Sequence, residues 1–179
     1  MLDDDALIGG REKREIVIAD HDPEWARRFE RERANVAAAL GVRAHAIEHV
    51  GSTSVPGLAA KPIVDLLVTV DDAEDDALLA LLEGAGYQLR VREPGHRMLR
   101  TPEHDVHVHI WADGDAEATR LLAFRDRLRA SRQDRELYEQ HKRELARRDW
   151  SDMNAYSDAK GPLIEQILAR AGAPPRSTL

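Results

Sequence analysis

Cysteine is missing from all 179 residues, so neither disulfides nor thiolate metal sites arise. A cysteine-free chain suits the reducing cytosol, and a cytoplasmic protein is expected. No apolar run approaches the roughly 20 residues of a membrane helix, so no membrane association is expected. The start, MLDDDALIGGREKRE, opens on acidic residues where a signal peptide would be basic. Aromatic residues make up only 4%, too few for a base-stacking platform. The net charge of −7 opposes the phosphate neutralisation behind non-specific nucleic-acid binding. Arginines alternate with acids, as in RRFERER and RELARRD, which describes solvated helix faces with i,i+4 pairs. No nucleic-acid partner is therefore expected, and nothing in the pattern sets the oligomeric state.

What is present fits one domain. Residues 1–13 read as a flexible lead-in, 14–172 as the domain and 173–179 as a disordered tail. Within the domain, a core over about 14–112 precedes helices over about 114–172. Ile16 to Ile18 is a short β-branched run with the look of an edge strand. Asp22-Pro23-Glu24 is a helix start, and Gly41 is placed to end that helix. Ala46 to Val50 reads as a strand. Pro62 to Val70 is nearly all apolar, as in a strand buried on both faces. A helix over Ala73 to Glu83 follows, then strands over Tyr87 to Arg92 and Arg97 to Arg100, joined at Pro94-Gly95. Asp105 to Trp111 alternates, giving a strand with two unlike faces. From Ala116 to Ala171 the pattern is helical, with a break near Trp150 to Asn154. The fold class is α+β: a mixed sheet flanked by helices, with a C-terminal helical layer. No Gly-x-Gly-x-x-Gly follows a strand, which argues against a Rossmann fold.

Chemistry concentrates between Gly51 and Val68. Gly51, Ser52 and Thr53 open a loop of small residues whose amides and hydroxyls can approach an anion. Lys61 adds a point charge for phosphate or carboxylate. Asp65 stands inside an otherwise apolar strand, where a carboxylate needs a partner. Each element taken singly is an ordinary turn or ion pair; together they describe a site.

Gly51-Ser52, twelve residues, then Asp65 resembles the Gly-Ser…Asp signature of the nucleotidyltransferase superfamily. The string IEHVGSTSVPGLAAKPIVDLLV from Ile47 resembles the GrpB family (UPF0157), as do ADHDPEWARRFERE, HVHIW, LLAFRDRLR and YSDAKGPLIEQILARA. The resemblance runs from about Val17 to Ala171. It implies a nucleotidyltransferase-like fold, also found fused to dephospho-CoA kinase. It further implies a loop that holds a nucleotide's phosphates and carboxylates that hold a divalent metal, Mg, Mn or Zn, with ATP or another nucleotide as ligand. An Asp-x-Asp pair sets two carboxylates about 6.6 Å apart on one face of a strand. Here the residue two after Asp65 is Leu67, and Asp71 and Asp72 lie about 20 Å further along, too far to replace it. Either the protein binds without transferring, or other ligands fill the gap.

His107 and His109 share one parity with Asp105, and the resemblance implies that their strand, by its order, stands where the superfamily's third carboxylate would meet Asp65. Two imidazoles and a carboxylate suit Zn, Fe, Mn or Ni better than Mg; alternatively one histidine is a general base, or the face is merely polar. Asp65, His107 and His109 are thus candidates for both catalysis and metal. Arg97 and Lys160 are added for phosphate. Glu48, His49, Arg100, Arg125 and Tyr156 complete the pocket candidates. Glu48 and His49 have opposite parity, so only one can face the site; Arg97 and Arg100, three apart, cannot share a face of a regular strand. Tyr156 and Lys160, at i and i+4, share a helix face. Three functions remain open: metal-dependent nucleotidyl or phosphoryl transfer, or carboxylate activation by ATP; an inactive module binding a nucleotide or CoA-like ligand; and, last, a protein-interaction domain.

Overall fold

A computed structural model of the chain describes residues 6–173. Five strands form one mixed sheet, β1 (Ala46–Val50), β2 (Val64–Val70), β3 (Gln88–Glu93), β4 (His96–Arg100) and β5 (Val106–Ala112), in the order β1-β2-β5-β4-β3. The one parallel pair is β2 with β5, which sets Asp65 opposite His107 and Leu67 opposite His109. The others run antiparallel.

Register sorts the side chains. Val64, Leu66 and Val68 of β2, with Val106, Val108 and Ile110 of β5, point to one face, and each is at most 1% exposed. That face is covered by α1 (Glu24–Leu40), through Trp25, Phe29, Val36 and Leu40, and by α2 (Asp76–Gly84), through Leu78, Leu79 and Leu82. Each fully buried aliphatic side chain contributes roughly 1.5–3 kcal/mol, so slipping either central strand by one residue would expose this core. The opposite face carries Asp65, Leu67, His107 and His109. There α3 (Ala116–Ala130), α4 (Arg132–Ala146), α5 (Met153–Ala159) and α6 (Gly161–Arg170) form the C-terminal layer. Two smaller apolar clusters anchor it. Val50, Leu67 and Ala118 form one, with Leu121 and Leu122 packed against them. Val55, Leu58, Leu128, Tyr138 and Ile167 form the other.

Local chemistry sets the boundaries. The Asp22 carboxylate accepts from the Glu24 amide at 2.9 Å, and Gly41, at φ +57°, ends α1 in a conformation glycine tolerates. Asp75, Asp115 and Asp152 cap α2, α3 and α5.

Three expectations need revising. Ile16 to Ile18 is no strand; the sheet edges belong to β1 and β3, and only Ala19 nearby makes a bridge, to Ala60. The long helix expected after Ala116 breaks at Ser131, whose hydroxyl accepts from the Asp134 amide to start α4. The expected lead-in is only partly within the described residues, and that part is not loose. Leu7 bridges to Val91, Arg90 donates to the carbonyls of Ile8 and Gly10, and Glu12 accepts both guanidinium ends of Arg100, at 2.7 and 3.0 Å. Of the tail, all but Ala173 lies outside the described residues.

Candidate metal and phosphate site

The turn after β1 and the parallel β2–β5 pair build the site. Gly51 sits at φ +69°, and a Cβ there would lie 2.3 Å from Asp65 Oδ2. The glycine is what lets the loop close against the carboxylate. Asp65 Oδ1 is 3.3 Å from His107 Nδ1 and 3.7 Å from His109 Nε2. One donor atom from each of the three lies within 4.8 Å of the others. Burial acts to raise the Asp65 pKa, but hydrogen bonds and charge from the two histidines outweigh it, and the carboxyl is held well below the usual range. The site therefore presents an ionised carboxylate beside two imidazoles.

Above this cluster is a cavity of about 230 Å³, lined also by Ser52, Ile63, Lys61, Lys142, Lys160, Tyr156 and Ser157. Three ammonium groups face one carboxylate. Tyr156, 1% exposed, lies between two of them: Lys160 Nζ is 4.8 Å and Lys61 Nζ 5.6 Å from its ring centre. Burial lowers the pKa of all three lysines. Lys160, with Lys61 beside it, falls to about 8. Lys142, with Lys160 beside it, falls to about 7. Lys61 is lowered by burial although Asp65 opposes the shift. Lys142 also donates to the Ala59 carbonyl, and its Nζ lies 4.8 Å from the Tyr138 ring centre.

A second cavity of about 220 Å³ opens alongside and shares Lys61, Ile63, His107 and Ser157. Leu7, Met98 and Met153 give it apolar wall, and Glu12, Arg14 and Arg100 a charged one. A larger groove of about 770 Å³ runs along the outer face of α4. Two of its arginines pair with its acids, Arg132 with Glu136 at 2.6 Å and Arg143 with Glu139 at 3.1 Å, and it touches none of the residues above.

The remaining candidates fall elsewhere. Thr53 is a clip: its hydroxyl donates to the Ile63 carbonyl at 3.1 Å and meets His49 Nε2 at 3.1 Å. His49 faces the core, stacked on Phe29 at 4.6 Å, and burial pushes its pKa down to about 4. Glu48 has the site parity but pairs with Arg125 at 2.8 Å, so neither reaches the cavity. Arg97 pairs in register with Ile110, hence lies on the far face. It is 5% exposed and donates to the carbonyls of Glu93 and His96; its assignment to phosphate is corrected. Asp105 lies outside the cluster, bonded to Thr101 at 2.8 Å and Arg28 at 2.7 Å. Sequence reasoning missed Lys142 and Tyr138. Their signal was a buried stripe at Asp134, Tyr138, Lys142 and Leu145 of α4, hidden in a segment that reads as all charge.

Leu67, where a second carboxylate would stand, is 1% exposed among Val50, Ala118, Leu121 and Leu122. His109 is its cross-strand neighbour, so an imidazole approaches Asp65 from the strand alongside the missing acid.

This mixed sheet flanked by helices has a nucleotidyltransferase-like fold. The fold is similar to that in the structure of the non-canonical poly(A) polymerase complex GLD-2–GLD-3, with a TM-score of 0.50 and 17% identity over 71% of this chain and 46% of that one; this is a likeness of fold alone. The chain belongs to the GrpB family: the GrpB protein model matches residues 15–170. The crystal structure of the conserved protein GrpB from Enterococcus faecalis is similar, with a TM-score of 0.78 and 35% identity over 87% of this chain and 96% of that one. A UPF0157 protein of Streptomyces coelicolor is 55% identical over 169 residues, 93% of this chain and 90% of its own length. A dephospho-CoA kinase of Mycolicibacterium paratuberculosis is 31% identical over 186 residues, which is 87% of this chain but 46% of that protein. Among the described residues, no helix is long and apolar enough to cross a membrane.

Proposed function

We propose that this domain binds the polyphosphate of a nucleotide together with a divalent metal ion, and transfers a nucleotidyl or phosphoryl group to an acceptor. One observation carries this: Asp65, His107 and His109 converge at the floor of a cavity whose walls bear Lys61, Lys142 and Lys160. The donor set fits a metal. Three ligand atoms lie close enough to share one ion, and the mixture of nitrogen and oxygen favours Zn or Mn over Mg. When bound, such an ion would polarise a phosphoryl oxygen.

The chain's own groups have separable tasks. The lysines, crowded and desolvated, gain most from a polyphosphate, which supplies the counter-charge they lack. Ser52 stands at the cavity edge as a further donor. The neighbouring cavity, half apolar and open to His107, is the place for the acceptor, a carboxylate-bearing acceptor included. A cytosolic setting fits this reading. Calorimetric titration with ATP, GTP, CTP and UTP, each with Mg, Mn or Zn, tests it. Saturable heat that requires metal and disappears in Asp65→Asn is expected; no heat from any pair would sink it.

Leu67 favours a second reading, a module that binds the same ligand without turnover. Ligand would then raise the melting temperature while no product forms. Any product abolished by Asp65→Asn excludes it.

A further inference from the structure

His96 and Glu93 were no part of the expected site, and they extend it. His96, next to the tight turn of the β3–β4 hairpin, pairs across β4–β5 with Trp111, and Met98 pairs with His109. His96 and His109 are thus diagonal neighbours on the same face. His96 Nε2 is 3.2 Å from His109 Nδ1, and His96 Nδ1 is 3.0 Å from Glu93 Oε2. The two imidazole planes differ by 6° and the ring centres are 5.4 Å apart. That separation is close to the N···N distance plus the two ring radii. The rings therefore meet edge to edge in nearly one plane, as an N–H···N hydrogen bond requires, and do not lie face to face. Trp111 fixes the orientation of His96 from the side: the rings stack at 4.1 Å and 10°. His96 is 8% exposed.

We propose that Glu93 and His96 are positioning residues that lock the ring and tautomer of His109, aiming its Nε2 at Asp65 and the cavity. The inference rests on the metal-centre reading above and extends it outward. The hydrogen-bond directions follow in order. Glu93 as a carboxylate only accepts, so the His96 proton sits on Nδ1. Burial favours the neutral imidazole, so His96 Nε2 is an acceptor. His109 must then donate from Nδ1, which leaves Nε2, the atom 3.7 Å from Asp65 Oδ1, as the one whose proton a metal ion displaces. Outer partners of this kind hold ligand histidines in one orientation, and their loss typically weakens metal binding 10- to 100-fold. A merely structural pair closing the hairpin would leave the tautomer of His109 indifferent.

Two variants separate these cases. His96→Phe keeps an aromatic ring against Trp111 but removes the acceptor. Glu93→Gln is milder: its amide can donate to His96 Nδ1, which removes the bias on every bond that follows. Titration of the full chain with ZnCl₂ and MnCl₂ is expected to show about 10- to 100-fold weaker binding in both. Long-range ¹⁵N–¹H correlation spectra of the metal-free protein are expected to show a proton on His109 Nδ1 in the wild type and its loss from that nitrogen in His96→Phe. Unchanged affinity in both variants, or a bare Nδ1 in the wild type, overturns the proposal. If the wild type binds neither ion, the metal reading fails by itself, and the spectra still decide whether Glu93 and His96 set the tautomer. Should His96→Phe fold poorly, Glu93→Gln carries both readouts.

Discussion

Replacing Gly51 by alanine tests the junction between loop and strand. The new Cβ would lie 2.3 Å from Asp65 Oδ2, 3.1 Å from its Cγ and 3.2 Å from its Cβ. The carboxylate cannot simply swing away, because its Cβ is itself in contact and its Oδ1 is held by His107 at 3.3 Å. Either the loop or the carboxylate has to shift by about 1 Å. Alanine at φ +69°, ψ −176°, a region that is essentially glycine's alone, adds roughly 1–3 kcal/mol of backbone strain. Gly57 supplies the control: it has φ +76° with nothing within 4 Å of its Cβ position, so Gly57→Ala carries strain and no clash. Urea unfolding is expected to show a loss of about 1–2 kcal/mol for Gly57→Ala and about 3–4 kcal/mol for Gly51→Ala. Calorimetry is expected to show that only Gly51→Ala also loses at least tenfold in Zn or Mn affinity, since misplacing one of three ligands spoils the set. Equal losses in both variants, with metal affinity intact in Gly51→Ala, would refute the close approach of loop to carboxylate.

Three further outcomes follow from the site. Lys142→Met removes an ammonium whose folded pKa, about 7, lies below its unfolded value. Charged lysine therefore disfavours the fold fully below pH 7, and this penalty fades as the pH rises toward 10. The variant should be more stable than wild type by about 2–3 kcal/mol at pH 6 and no more stable at pH 10, yet bind ATP at least tenfold more weakly; denaturant midpoints at the two pH values and one titration check this. ATP affinity of the wild type should fall as the pH rises through 7 to 8, because Lys142 and then Lys160 lose their protons; a flat profile in calorimetry contradicts it. Leu67→Asp should not rebuild a second metal position. It sets a charge among Val50, Ala118, Leu121 and Leu122, and a loss of about 3–5 kcal/mol by urea unfolding is expected, with no gain in bound Mn.

The parts of the site legible in the sequence were those set by strand parity and by local spacing. Alternation from Val106 to Ile110 told which side of β5 carries the histidines, and the loop from Gly51 with Lys61 and Asp65 marked the strand beside it. Opposite parity kept Glu48 from sharing a side with His49, and left the choice between them to the sheet register. What parity could not give was the third dimension. Arg97 and Arg100 were separable as opposite faces, but which face meets Asp65 depends on β4 lying beside β5. Lys142 is 77 residues beyond Asp65 and arrives only because α4 folds back over the sheet. Its helix shows so many charges that one buried lysine does not stand out. His96 was hidden for a different reason: it works through His109, and a relay of side chains across two strands leaves no spacing signature. The missed break at Ser131 is local, since one hydroxyl ended a pattern that propensity would continue.

The three lysines also bear on how long the protein lasts. Empty, the domain stores mutual repulsion between these lysines that Asp65, in the cavity, and Glu139, beside Lys142, relieve only in part. Filled with an anion, it becomes a better-balanced core. At a hundredfold excess of ligand over Kd the gain is about 2.7 kcal/mol, enough to shift the unfolded fraction that proteases sample by about a hundredfold. The abundance of this protein in a cell would then rise and fall with the supply of its ligand, without any dedicated sensor. Pulse-chase lifetimes in cells depleted of that ligand would read the site directly, whatever reaction it performs.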